Sequence, residues 1–184
     1  MQSMYRIIPF IALCTATIAL SSCSSMSDRY SGSDRSTAYE TRLPADYSSR
    51  LSGNISSKGK VVVIDPSVHA WGAYENGSLV KAGLATAGSS WCPDIGRPCR
   101  TKVGHFRVNS LGSESCKSSK YPLPRGGAPM PYCMFFNGNQ GMHGSNEVVE
   151  GNISHGCVRM QTADAEWLRF NFVNVGTPVV VKPY

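Results

Sequence analysis

The residues best suited to chemistry in this 184-residue chain lie between His143 and Met160, and they centre on Cys157. A cysteine attacks as its thiolate, and a thiol with the usual pKa of about 8.5 is mostly protonated at neutral pH unless its surroundings favour ionisation. Two imidazoles, those of His143 and His155, lie close to it in sequence. The combination is typical of a nucleophile with a neighbouring base.

We predict that His143 is the base. His155 lies two residues before Cys157, and in a turning segment its ring is expected to point away, whereas His143 can fold back from another strand. Gly156 leaves the approach to the sulfur open, and the N–H groups of Gly156 and Cys157 could face the oxyanion of an attacked carbonyl. Arg159 could hold a substrate carboxylate. A lone Cys or His is usually structural, so the prediction depends on their combination.

Two motifs around these residues resemble the signature of the L,D-transpeptidase catalytic domain, also called the YkuD domain. The first is His143-Gly144-Ser145, and the second runs from Ser154 to Met160 with the sequence SHGCVRM. Upstream, LATAG at 84–88 and KVGHFRV at 102–108 are similar to two further segments of the family.

The resemblance implies a mainly β fold over residues 59–184, a β-sandwich with one helix after the nucleophile. It implies that Cys157 is acylated, that His143 is the base and that the carbonyl of Gly144 orients the imidazole. The rest of the signature would form the substrate pocket and oxyanion site: Ser154, His155, Gly156 and Arg159. The chain also resembles the enhanced-entry proteins, a cysteine-bearing subgroup of the family.

The activity implied by this resemblance is acyl transfer from a peptidoglycan stem peptide to an amine, through a thioester on the cysteine and without a cofactor or metal. With water as the acceptor, the enzyme would be an L,D-carboxypeptidase. A non-catalytic wall-binding or host-contact lipoprotein is the alternative from another class.

The chain departs from the family pattern in three places. Lys102 replaces a proline, the spacer between His143 and Ser154 is short, and extra cysteines lie between Leu84 and Phe135. None of these changes touches the nucleophile or the base. Because variable loops decide what a fold binds, we expect the substrate pocket to differ from that of other members.

Four cysteines lie in a Gly- and Pro-rich stretch of the chain, at Cys92, Cys99, Cys116 and Cys133. In an exported protein they are expected to pair, and of three possible connectivities we favour Cys92 with Cys99 and Cys116 with Cys133. Zinc is the alternative, but the spacings lack a CxxC pair and no histidine is near in sequence. Cys157 then remains as a free thiol.

The first 58 residues predict an export signal and a tether. Arg6 and an apolar run from Ile7 to Leu20, too short for a spanning helix of about 20 residues, are typical of a signal peptide over 1–23. The end LSSC resembles a lipobox, which implies lipidation of Cys23 and a place on the periplasmic face of the outer membrane. An ordinary secretory signal, which would release the protein into the periplasm, is the alternative. Residues 24–58 are Ser-rich and charged, and we predict a flexible tether.

The net charge of +6 and pI near 9.0 favour contact with anionic surfaces, which include nucleic acids, lipid headgroups and cell-wall polymers. No nucleic-acid motif is present and the basic residues are scattered, so we predict no nucleic-acid partner. The expected partners are peptidoglycan stem peptides and, through Cys23, a membrane.

The elements that must position the site are mostly strands. A β-branched run predicts a strand from Lys60 to Asp65, and Asn76-Gly77 predicts a hairpin between 68–74 and 78–84. Further strands are expected at 134–136 and 179–181, and a helix at 162–168 with Thr162 as its N-cap. His69 and Trp71 are predicted to share one face of the second strand.

Overall fold

The computed structural model describes residues 46–184, and within them nine strands form two sheets. The first sheet has the order β3-β2-β1-β9-β4, and its strands are β1 (Lys60–Asp65), β2 (Ala70–Glu75), β3 (Ser78–Leu84), β4 (Gly104–Arg107) and β9 (Pro178–Val181). The second has the order β5-β6-β7-β8, with β5 (Ser110–Leu111), β6 (Met134–Asn137), β7 (Gln140–Gly144) and β8 (Val158–Met160). Helix α1 (Thr162–Trp167) continues into a π-helical turn at Leu168–Phe172. The mainly β architecture predicted from the sequence is confirmed.

The hairpin of β2 and β3 forms at the predicted Asn-Gly pair. Asn76 and Gly77 have φ angles of 51° and 88°, the left-handed conformation that a two-residue hairpin turn requires. On the other side, β1 pairs with β2 in antiparallel register and with β9 in parallel register. The valine-rich strands β1 and β9 are therefore interior strands of the first sheet, and each is hydrogen-bonded to a strand on both sides.

The core lies between the two sheets and decides which face of the second sheet is left for a site. Met142, Val158 and Met160 are fully buried in it, together with Ile64 and Trp71 of the first sheet. Because side chains alternate along a strand, the neighbours of these residues on β7 and β8 point to the opposite face. That outer face carries His143 and Arg159.

Residues 46–58 pack against the outer face of the first sheet instead of forming part of a tether. A short 3₁₀ helix at Tyr47–Arg50 leads into Leu51, which is buried. The hydroxyl of Tyr74 donates to the carbonyl of Ser52 over 2.7 Å, and the N–H of Ile55 donates to the carbonyl of Gly77 over 2.8 Å. This outer sheet face is itself apolar, so covering it removes hydrophobic surface from water. The predicted signal peptide, Cys23 and the rest of the predicted tether lie outside the described residues.

Two local predictions were wrong. His69 precedes β2 with a φ of 53° and does not share a strand face with Trp71. Thr162 is the first helical residue and not the N-cap, because Gln161 occupies that position without a capping hydrogen bond from its side chain. Within 46–184, no helix is both long and apolar enough to cross a membrane.

Candidate active site

The backbone pairing of β7 and β8 brings the predicted nucleophile and base to the same face of the second sheet. The strands run parallel, with His143 opposite Arg159. Cys157 directly precedes β8 and lies two residues before Arg159, so its side chain has the same orientation. His143, Cys157 and Arg159 all line one cleft of about 600 Å³.

The imidazole of His143 is held in one tautomer by its own strand. Its Nδ1 lies 2.9 Å from the carbonyl oxygen of Gly144. A carbonyl only accepts, so in the neutral ring Nδ1 carries the proton and Nε2 keeps a lone pair. The N–H of Gly144 donates to the carbonyl of Pro131 over 2.8 Å and holds this peptide in place. The structure thus contains the orienting contact that the family resemblance implied for Gly144.

Burial sets the resting protonation states of both groups. The pKa of His143 is lowered to about 4, mainly by burial and to a smaller degree by the nearby charge of Arg159, while the bond to Gly144 opposes the change. Burial also raises the pKa of the Cys157 thiol, against the opposing effects of the Gly141 N–H and Arg159. At neutral pH the site therefore holds an uncharged thiol and an uncharged imidazole that is free to accept a proton.

The turn that carries Cys157 is fixed by the hydroxyls of Ser154 and Thr101. Ser154 Oγ accepts from the N–H of Gly156 over 3.1 Å and donates to the carbonyl of Cys157. Thr101 Oγ1 donates to the carbonyl of Gly156 over 2.9 Å. Gly156 has a φ of 119°, a conformation that other residues rarely adopt. The sequence analysis assigned the N–H of Gly156 to an oxyanion. In the structure this N–H is bonded to Ser154 Oγ, so it is not free for that role.

His155 contacts a partner that the sequence did not reveal. Its Nε2 lies 2.8 Å from a carboxylate oxygen of Asp94, and its ring contacts that of Tyr121 in a tilted arrangement with 4.5 Å between the centroids. Candidate ligand atoms of Asp94, His155 and Cys92 lie within 4.8 Å of one another. A histidine is therefore near these cysteines in space, although none was near in sequence, but the Cys92 sulfur is held in a disulfide and is not a thiolate ligand.

Arg159 already has an acidic partner in this structure. Its guanidinium lies 3.1 Å from a carboxylate oxygen of Glu147, whose side chain is 77% exposed. The sequence analysis assigned Arg159 to a substrate carboxylate and did not single out Glu147. A substrate acid would have to displace this ion pair, in which the Arg159 side chain is only 19% exposed.

Both disulfides have the connectivity favoured from the sequence, Cys92 with Cys99 and Cys116 with Cys133. Among residues 46–184, Cys157 is the free cysteine. The segments that the disulfides close bring further groups to the cleft that sequence motifs did not identify, namely Arg97, Lys117, Lys120 and Tyr121. Only the three-dimensional course of these loops places them beside the nucleophile.

Known proteins are similar to this chain in sequence and in fold. The profile of the family described as YkuD, L,D-transpeptidase catalytic domain, matches residues 59–181. Among solved structures, an L,D-transpeptidase from Xylanimonas cellulosilytica is 28% identical with a TM-score of 0.62, and the match covers 73% of this chain and 66% of that chain. No curated protein matches the chain significantly.

Two mycobacterial structures agree in fold. L,D-transpeptidase 3 from Mycobacterium tuberculosis, in complex with a faropenem-derived adduct, is 23% identical with a TM-score of 0.55, and the match covers 68% of this chain and 60% of that chain. An L,D-transpeptidase from Mycobacterium smegmatis is 20% identical with a TM-score of 0.55, and the match covers 67% of this chain and 58% of that chain. The chain thus spans less than two thirds of the length of these relatives. Because the family profile matches most of this chain and the fold agrees, the protein belongs to the L,D-transpeptidase family, with the YkuD catalytic domain at residues 59–181.

Proposed function

We propose that this protein is an L,D-transpeptidase that transfers an acyl group from a peptidoglycan stem peptide to an amine through a thioester on Cys157. The observation that carries the proposal is the free Cys157 thiol in a cleft, on the same sheet face as the neutral imidazole of His143. Membership of the family supports the reaction class. We assign Cys157 as nucleophile and His143 as base.

In the first step, Nε2 of His143 takes the thiol proton as the sulfur attacks the carbonyl carbon at the L-centre of diaminopimelate in a tetrapeptide stem. The tetrahedral intermediate collapses when the bond to the terminal D-Ala breaks. The D-Ala amine leaves with the proton from the imidazolium, and a thioester remains on Cys157. A buried imidazolium with a pKa of about 4 is a strong acid, so it gives up this proton readily.

In the second step, an amine from an acceptor attacks the thioester carbonyl and gives its proton to His143. The sulfur leaves, takes the proton back and completes the cycle. Every atom and proton in these steps comes from the two substrates, Cys157 and His143, so the reaction needs no cofactor. A thioester suits transfer to an amine, provided that the acceptor is held close to it.

Water as the acceptor would make the protein an L,D-carboxypeptidase, and loss of turnover would leave a wall-binding lipoprotein. Export fits the two disulfides, which persist in oxidising compartments. We also propose that the protein is a lipoprotein anchored through Cys23 at the periplasmic face of the outer membrane. The resemblance to the enhanced-entry subgroup stays a prediction.

The test is to incubate the purified protein with a tetrapeptide-containing muropeptide, with and without an added amine acceptor, and to identify the products by mass spectrometry. We expect release of D-Ala, a cross-linked product and a transient acyl adduct on Cys157. Faropenem serves as a second acyl donor, since the M. tuberculosis relative was solved with an adduct derived from it. Release of D-Ala without any cross-link would instead support the carboxypeptidase.

Cys157→Ala is the matched control, because it removes the sulfur and keeps the turn. It should form no adduct and no product. Turnover in this variant, or a folded and reduced wild-type protein that forms no adduct with either donor, would rule out the proposed mechanism.

A further inference from the structure

The charged side chains around the cleft are mostly basic. Five charged residues line it, namely Arg97, Lys117, Lys120, Arg159 and Glu147. The last two form an ion pair with each other. For Arg97, Lys117 and Lys120, the structure of residues 46–184 shows no ion-pair partner. The cleft therefore keeps three cations that its own residues do not neutralise.

These three cations are carried by the two disulfide-closed segments. Arg97 lies in the loop between Cys92 and Cys99, where its carbonyl accepts a hydrogen bond from the N–H of Cys92 over 3.0 Å. Lys117 and Lys120 follow Cys116, and the N–H of Ser118 donates to the carbonyl of Ala128 over 2.9 Å. Each segment is held by a disulfide bond and by backbone hydrogen bonds, so the Cα atoms that carry the three side chains have fixed positions.

The two segments meet at His155, two residues before the nucleophile. Asp94, from the same loop as Arg97, contacts Nε2 of His155 at 2.8 Å. Tyr121, next to Lys120, lies with its ring tilted against that of His155 at 4.5 Å between the centroids, and the Lys120 ammonium lies 5.4 Å from the centre of the Tyr121 ring. Arg97 and Lys120 therefore belong to the two segments that contact His155, and both line the cleft that contains Cys157.

We propose that Arg97, Lys117 and Lys120 form a subsite that binds a free carboxylate of a peptide substrate. The proposal deepens the proposed function by naming a chemical group of its substrate, and it rests on that function. A carboxylate can take charge-assisted hydrogen bonds from guanidinium and ammonium groups, which are stronger than neutral ones. The exposed cations also attract an acidic peptide from solution, and this attraction weakens as salt is added.

The carboxylate belongs either to the stem that donates the acyl group or to the chain that accepts it. Separate measurements of acylation and of transfer distinguish these two sources. Pairs of peptides that differ only by a free acid or its amide test the chemistry itself, because amidation removes the charge and keeps the size.

The experiment compares Arg97→Gln and Lys120→Gln, singly and as a double variant, with the wild type, and Lys58→Gln is the charge-matched control for each single variant. Lys58 is exposed and does not line the cleft, so the control removes one positive charge elsewhere. With free-acid peptides, we expect the double variant to raise KM about tenfold for the step that uses the acid, with kcat nearly unchanged. With the amidated peptide, the double variant and the wild type should behave alike.

Binding is measured in parallel by calorimetry on the Cys157→Ala protein, with and without the double substitution. This readout does not need turnover, so it tests the subsite even if the proposed acyl transfer fails. The subsite is supported if the free-acid peptide binds more tightly than the amidated peptide, and if this preference is lost in the double variant but retained in Lys58→Gln. Equal discrimination between acid and amide in all three proteins, in both binding and kinetics, would overturn it.

Discussion

His143 and Gly144 are joined by a hydrogen bond of 2.9 Å within one residue of the chain, from the ring Nδ1–H to the carbonyl oxygen. The contact makes the other ring nitrogen an acceptor. Burial lowers the pKa of the ring to about 4, so the ring stays uncharged down to about that pH. A base held in this way does not depend on a preformed thiolate. In the proposed mechanism, it takes the proton from the thiol as the sulfur attacks the carbonyl.

The first prediction concerns pH. The acid limb of kcat/KM should lie near pH 4, well below the usual imidazole pKa of about 6.5. His143→Gln should lower the rate about 10²- to 10⁴-fold, as expected for loss of a general base. A pH–rate profile of acylation measures both, and an acid limb near 6.5 would contradict the buried neutral ring.

The same residue couples pH to stability. Between about pH 6.5 and pH 4, His143 is protonated in the unfolded chain but stays neutral in the folded protein. The unfolded state therefore binds more protons in this range, and the free energy of unfolding falls as the pH is lowered through it. The total loss is about 3 kcal/mol. The free energy of unfolding is measured with urea at pH 7 and pH 4 for the wild type and for His143→Gln. The wild type should lose more stability between the two pH values than the variant, which has no imidazole at this position.

The second prediction uses the ion pair of Arg159 and Glu147 at 3.1 Å. The charge of Arg159 lowers the pKa of both His143 and Cys157. Arg159→Gln should therefore raise both pKa values, and Glu147→Gln should lower both, because it removes the carboxylate that offsets the guanidinium. Iodoacetamide alkylation of Cys157 across pH follows the thiol, and NMR of the His143 ring follows the imidazole. Shifts of the same sign in the two variants would refute this electrostatic account.

The third prediction concerns the segment that precedes β1. Leu51 is buried against the first sheet, and the nearby Tyr74 hydroxyl is bonded to the Ser52 carbonyl. Leu51→Ala should lower the free energy of unfolding by about 2 kcal/mol, the lower end for a buried leucine, because the site is at the edge of the core. Denaturant unfolding measures the loss, and Ser56→Ala, at an exposed position of the same segment, is the control. Equal stability in both variants would show that 46–58 behaves as a tether after all.

The sequence predicted those parts of the site that depend on local motifs. Cys157, His143 and Arg159 were singled out by residue type and spacing, but the strands β7 and β8, which bring them to one face, were not among the predicted strands. The Asn76-Gly77 turn was equally local.

Contacts between segments distant in sequence could not be predicted. Asp94 lies 61 residues before His155, and neither is marked by a pattern that links them. The Ser154–Gly156 contact was missed for a different reason: it is local, but the sequence does not show that the Ser154 hydroxyl turns back to occupy the N–H of Gly156. The packing of Leu51 was missed because the serine-rich composition around it is typical of disordered chain.

The parallel pairing of β7 and β8 has a consequence for protein engineering. His143 lies on β7 and Cys157 directly precedes β8, so the pairing of these two adjacent strands brings the backbones of both residues together. The side chains of Arg97, Lys117 and Lys120 line the cleft from the two disulfide-closed segments and belong to neither of these strands. The second segment also supplies the Pro131 carbonyl that holds the Gly144 peptide. Substituting the three side chains, with the segments themselves kept, is therefore a route to new substrate preferences.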